Sequence, residues 1–204
     1  MVIASRRQFI AFCAASSLAM SFAAHAAVAA NSADNLIRSL GDEVIGVLVD
    51  SSLNLASRES RFRELLLRYV DTDSIARTVL GRYWNLATEA EKEDFKHLYR
   101  EYIIRVYAAR LSKFDGEVFK VRAPRQDSDA DFMVFSTIEP KQGPSYVVNW
   151  RVRKSPEGFA ITDVQAEGVS LLVTHNQEFS SVIQNGGGKV AALLDALRKR
   201  AGVK

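Results

Sequence analysis

The chain has 204 residues, 27 lysines and arginines against 24 acids, 48% hydrophobic side chains and a single cysteine. Its first residues read as an export signal: Arg6 and Arg7 make a basic start, the apolar run from Phe9 to Phe22 is too short to span a bilayer, and Ala24-His25-Ala26 offers a small-residue cleavage site. Removing residues 1–26 takes two arginines and no acid, so the net charge falls from +3 to +1, which excludes a nucleic-acid binder that works through a strong basic excess.

The mature chain is therefore expected in the periplasm, with cleavage after Ala26 or as late as Ala29. Ser5-Arg6-Arg7-Gln8-Phe9-Ile10 resembles a twin-arginine signal; an ordinary secretory signal is the alternative. Cys13 falls in the segment to be removed, and bulky Phe12 before it argues against lipid attachment. Residues 27–204 are read as one domain, long enough for a real core. Without a cysteine, that domain must be held by packing alone.

From Ser32 to Asp50, residues Ile37, Leu40, Val44, Val47 and Leu48 make one apolar helical face, interrupted by Gly41 and Gly46. Each glycine costs a helix roughly 1 kcal/mol against alanine. Close approach of another element, or flexibility, is the expected use. Leu53 to Ser57 reads as a linker and Arg58 to Val70 as a second helix with Phe62, Leu65, Leu66 and Tyr69 inward. Asp71 or Asp73 can cap a third helix carrying Ile75, Val79 and Leu80, which ends at Gly81. Arg82-Tyr83-Trp84 follows, either a wall beside a bound apolar molecule or a core corner. Spacing alone favours the corner.

Thr88 and Glu91 form a capping box at the start of the longest helix, which extends to Leu111. Phe95, Leu98, Tyr99, Tyr102, Ile103, Val106 and Tyr107 recur along one side of it. After Leu111 the period changes to two. Strands are expected around Phe119 to Ala123, Phe132 to Phe135, Tyr146 to Val152 and Phe159 to Ala166, joined by short turns into an antiparallel meander. Lys120, Arg122, Arg151 and Arg153 share its outer face, which reads as a solvated surface. Helical spacing returns from Gly168 through Phe179 and Ile183, stops at Gly186-Gly187-Gly188, and resumes with Val190, Leu193, Leu194 and Leu197.

Catalytic signals are sparse. His97 and His175 stand in no metal-ligand spacing, and there is no Ser elbow and no cysteine nucleophile. Asp163 and Glu167 could form an acid pair, but capping or ion pairing at a strand end is the more frequent role of such residues. What is abundant is apolar surface on helices and a sheet, which can close as a solid core or hold open a slot. Periodicity cannot choose between the two.

Several segments taken together carry a resemblance. Asp71-Thr72-Asp73-Ser74-Ile75-Ala76, Val79-Leu80-Gly81-Arg82-Tyr83-Trp84, Phe95 and Tyr107, then Asp163-Val164-Gln165-Ala166-Glu167-Gly168-Val169-Ser170-Leu171 with Phe179 after it, resemble the toluene-tolerance or MlaC family of periplasmic lipid-binding shuttles. The resemblance implies an α+β fold in which helices and one twisted antiparallel four-stranded sheet enclose an apolar pocket for acyl chains. It implies no catalysis, no metal and no cofactor. The implied cargo is a phospholipid. The implied partners are an outer-membrane lipoprotein complex and an inner-membrane ABC transporter complex, with the carrier a monomer. Where many members have an Asn-Tyr-Arg-like run, this chain reads Thr174-His175-Asn176, and the lost arginine leaves headgroup preference open; a relative of the family associated with hopanoid metabolism implies a hopanoid-type polycyclic lipid as the alternative cargo. A small-molecule enzyme of cone-shaped α+β type is the alternative, with Asp163 as its acid. Val79, Tyr83, Trp84, Tyr102, Val106, Val134, Val148, Trp150 and Ile183 are the residues expected to line or border the pocket.

Overall fold

The computed structural model describes residues 32–111 and 114–202. The export signal, its cleavage site and Cys13 lie outside the described residues. The described residues begin with three helices, α1 (Ala33–Val49), α2 (Leu55–Tyr69) and α3 (Thr72–Leu80). The reading of Leu53 to Ser57 as a linker is too long. Asn54 accepts a hydrogen bond from the Ser57 amide at 2.9 Å, and this cap starts α2 at Leu55. Asp71 caps α3 in the same way through Ser74 N–H. Gly81, at φ +57, opens a 3-10 turn over Gly81–Asn85 that carries the Arg-Tyr-Trp corner.

The long helix α4 (Glu89–Leu111) starts at the expected capping box. Thr88 N–H donates to Glu91 at 2.9 Å, and Glu91 N–H donates to the Thr88 hydroxyl at 3.2 Å. Strands β1 (Val118–Val121), β2 (Arg125–Gln126), β3 (Asp131–Glu139), β4 (Tyr146–Ser155), β5 (Gly158–Ala166) and β6 (Val169–Ser170) follow, then helices α5 (Leu171–Asn185) and α6 (Val190–Ala201). The four expected strands are β1, β3, β4 and β5, in that spatial order and antiparallel. Two two-residue strands add to them, β2 beside β3 and β6 beside β5. The register opposes Val134 to Trp150, and Trp150 to Val164. It shifts between Arg151 and Val152, a bulge that bends the sheet around what lies against it.

Two apolar cores result. One is helical: Val79, Leu80, Phe95, Phe179, Ile183 and Leu197, from α3 to α6, are each at most 1% exposed. The other joins Leu36 and Ile37 of α1, and Leu65 and Tyr69 of α2, to Val134, Val152 and Ile161 of the sheet. The triple glycine ends α5, with Gly187 and Gly188 at positive φ and Gly188 N–H bonded back to Ile183. Three of the four cations on the outer sheet face have partners: Lys120 with Glu139, Arg151 with Asp127 and Arg153 with Asp131. That face is a laced surface, as its charge pattern suggests.

Candidate functional site

Between the two cores the packing leaves a hollow. A cavity of about 470 Å³ is enclosed by α1, α2 and α4 on one side and by the sheet and α5 on the other. Its helical wall is built from apolar residues at helical spacing: Leu40, Val44 and Leu48 of α1; Phe62, Leu65 and Leu66 of α2; Ile103 and Tyr107 of α4. The sheet contributes Phe119, Ile138, Trp150 and Val164. Trp150 is fixed by its indole N–H, which donates to Ser136 at 2.9 Å, and by the edge of Phe119. Gly41 also lies on the wall. A Cβ there would collide with the Phe119 ring, so this glycine lets α1 rest directly on the strand.

Three polar side chains on the wall are buried. Tyr99, Asp163 and His175 are all on the wall and only 5%, 7% and 7% exposed. The Tyr99 hydroxyl lies 2.9 Å from His175 Nδ1, and the imidazole stacks on Phe179 with ring centroids 5.7 Å apart. Burial pushes the Tyr99 phenol far above its ordinary value, and the Tyr107 and Tyr102 phenols and the Asp163 carboxylate act in the same direction. The phenol thus keeps its proton and is available as the donor to Nδ1. Asp163 accepts from Val164 N–H at 2.8 Å, Leu172 N–H at 3.3 Å and the Ser170 hydroxyl at 2.7 Å. Ser170 in turn caps α5 by accepting from Val173 N–H. The carboxylate is therefore a clamp between β5 and the start of α5, the strand-end role favoured from its position, and its lone pairs are largely spent there. Glu167 goes elsewhere, to the Val147 amide at 2.6 Å.

Of the nine residues expected at the pocket, Trp150 is on the cavity wall. None of the other eight is among the residues that line it. Val79, Tyr83 and Ile183 are sealed in the helical core, with Trp84 and Tyr102 packed against it. Lys92 and Lys96 stand over the Trp84 ring, 5.6 and 5.9 Å from its centroid. Val134 is sealed in the sheet core, and Val106 and Val148 are half-buried. The apolar wall residues not expected at the pocket, Leu66, Ile75 and Ile103 among them, carry no sign that sets them apart from core positions, and Arg100 belongs to the polar side of its helix. Gly41 was the exception, since a glycine on an apolar helical face marks a close approach.

Among the described residues no three His, Cys, Asp or Glu side chains gather to hold a metal, and no helix is long and apolar enough to cross a membrane. The wall is apolar over most of its extent, and its Asp163 is spent on structure.

Comparison with known proteins agrees with this geometry. Residues 38–199 match the family model described as MlaC protein. A solved structure of a phospholipid-binding protein from Ralstonia solanacearum, in complex with a phospholipid, superposes with a TM-score of 0.76 at 24% identity, over 84% of this chain and 97% of that one. The two share a fold.

Proposed function

The chain belongs to the MlaC family, and from that premise we propose that it is a non-catalytic lipid carrier of the periplasm. It buries the acyl chains of a phospholipid in the cavity between its two cores. It passes that lipid between an outer-membrane lipoprotein complex and an inner-membrane ABC transporter complex. Residues 1–26 are its export signal.

The observation that carries this reading is the cavity itself. At about 470 Å³ it falls within the size range of small-molecule sites, and its wall is apolar over most of its extent. Atoms around a hollow lose dispersion contacts on one side, so keeping one open costs stability unless a ligand fills it. Each methylene taken from water returns about 0.8 kcal/mol. A carrier needs that exchange, because a free lipid in water exposes its whole hydrocarbon part. Asp163, the acid an enzyme of similar shape would use, is committed to the β5 to α5 clamp, which supports carriage over catalysis.

The test is organic extraction and mass spectrometry of the protein exported and purified from its natural compartment. A phospholipid should come off the folded protein. Protein that purifies folded with no lipid, and takes none from phospholipid vesicles, would overturn the carrier reading.

A further inference from the structure

Next to the cavity, in the seam between α1 and α2, lies a second and much smaller void of about 20 Å³. Three helices place it in line with the cavity. On α1 the cavity wall starts at Leu40, and the lining of the void runs from Val44 to Leu48. On α2 the void begins at Leu55, and the cavity wall continues past it to Leu66. On α4 the cavity takes Tyr99 to Tyr107 and the void takes Ala108, a single methyl that leaves room. All three shift the same way, toward the corner between α1 and α2, so the void continues the cavity along one axis.

The two spaces differ in polarity. Tyr99, Arg100, Asp163 and His175 are on the cavity wall and are not among the residues that line the void. Of the described residues around the void only Arg58 is charged, and its Nη2 donates to the Asp50 carbonyl at 3.2 Å. A hydrocarbon tail that lies away from the polar wall groups therefore points along the axis toward the void.

What stops it is one side chain thick. Val44, Leu48, Phe62 and Leu65 line both spaces. Val44 and Leu65 also pack into the core against the sheet, whereas Leu48 and Phe62 belong to neither core. Phe62 is half-buried, and its ring is the bulkiest part of the partition. A methylene that reaches the ring and finds no room stays unburied, which weakens binding about fourfold for each such group.

We propose that Phe62 is the end-stop of the cavity and sets the longest acyl chain that the protein carries. This rests on the carrier reading and adds a length criterion to it.

The full chain, exported, purified and delipidated, is loaded from vesicles holding equal amounts of dimyristoyl, dipalmitoyl, distearoyl and diarachidoyl phosphatidylglycerol, and the lipid taken up is read by mass spectrometry. Each ratio of long to short chains is expressed relative to the wild type, which removes the lipids' own differences in leaving the vesicle. Phe62→Ala joins the void to the cavity and should raise that ratio at least about fourfold, the worth of one housed methylene. Phe62→Trp moves the stop inward and should lower it. Leu66→Ala removes hydrocarbon from the cavity wall at a position off the void, and its shift should be the smaller. Thermal melting checks that the variants fold; if Phe62→Ala does not, Phe62→Trp decides alone. An unchanged ratio in either folded Phe62 variant, or a shift in Leu66→Ala as large as that in Phe62→Ala, would overturn the proposal and leave the carrier reading standing. Failure of the wild type to take up any of the lipids would overturn the carrier reading and this proposal with it.

Discussion

The helical core and the cavity wall are built from the same kinds of residue and differ in how many sides of each side chain are covered. Phe95 and Phe179 meet edge to face at 6.1 Å, and both are at most 1% exposed because four helices close around them. Leu66, Ile75 and Ile103 have comparable hydrocarbon and belong to the same helical layer, yet they stay half-buried with one side toward the hollow. What separates the regions is the spacing of the elements. Around the cavity, α1 and α2 are held between the sheet and α4 by polar ties: Glu43 to Arg68 at 2.8 Å, Glu43 to the Tyr69 hydroxyl at 2.6 Å, and the bidentate Arg63 to Glu101 pair. Burial together with the Glu43 hydrogen bond pushes the Tyr69 phenol up to about 12, so that tie is a phenol donating to a carboxylate. A hollow persists where polar ties fix the frame at a distance that apolar contact alone would close.

Truncation should break or sustain this contrast most sharply. Phe179→Ala opens a new void in a filled core and should cost roughly 3–5 kcal/mol, whereas Leu66→Ala only enlarges an existing one and should cost under about 2 kcal/mol, near the transfer term alone. Denaturant unfolding of the two variants measures both, and equal losses would mean that the two regions are not different in kind. Enlargement sharpens the same point. Ile103→Trp puts an indole into the cavity and should strip most of the co-purified lipid at a cost of about 1–3 kcal/mol or less. Val106→Trp, three residues along the same helix but off the wall, should keep its lipid. Loss of lipid in both variants would move the wall.

The smallest effect concerns the frame. The Arg63 guanidinium bonded to Glu101 holds this carboxyl below its ordinary value against the opposing effect of burial. A depressed folded value means that the pair stabilises above the unfolded value, about pH 4.3, and loses that contribution as pH falls through the folded one. Arg63 is 42% exposed and Glu101 19%, so solvent screening limits the pair to about 1 kcal/mol or less. Glu101→Gln should therefore be slightly less stable than the wild type at neutral pH, and the unfolding midpoints of the two should converge in acid. A gap that widened in acid would reverse the assigned sign.

Much of the fold was legible because its signals are local. The Thr88 and Glu91 box, the Asp71 cap, the period change after Leu111 and the triple glycine each act within a few residues, and each is found where the sequence puts it. The Asn54 cap was missed because the turn it opens begins with exposed Leu55 and Ala56 and carries no apolar stripe to mark a helix. The site was far less legible. A stripe such as Phe95 to Tyr107 shows which side of a helix is apolar, but core and cavity both draw on that side, at Leu98 and at Ile103. The deciding quantity is the distance to the opposite element, which depends on contacts from α1 to the sheet that are remote in sequence. The motif segments Leu80-Gly81-Arg82-Tyr83-Trp84 and Asp163 to Leu171 turn out to be a sealed corner and a strand-to-helix clamp. The first of them marked scaffold alone, while the second lends Asp163, Val164 and Leu171 to a wall otherwise made of less distinctive residues.

The passage from α2 to α3 is stitched to the sheet: Val70 pairs in parallel with Ile161, and the Asp71 amide donates to the Ile161 carbonyl at 2.9 Å. At the other end of α2, the corner with α1 has no such seam to β5 and leaves Val49 and Leu55 bare to solvent. The wall is therefore stitched to the sheet along one margin, and along the other it is held by local bonds, the Ser52 amide to Asp50 at 2.9 Å and Arg58 to the Asp50 carbonyl at 3.2 Å. A ligand too bulky for the cavity would displace the α1 to α2 corner at lower cost than the corner between α2 and α3, which is the fixed reference of the wall.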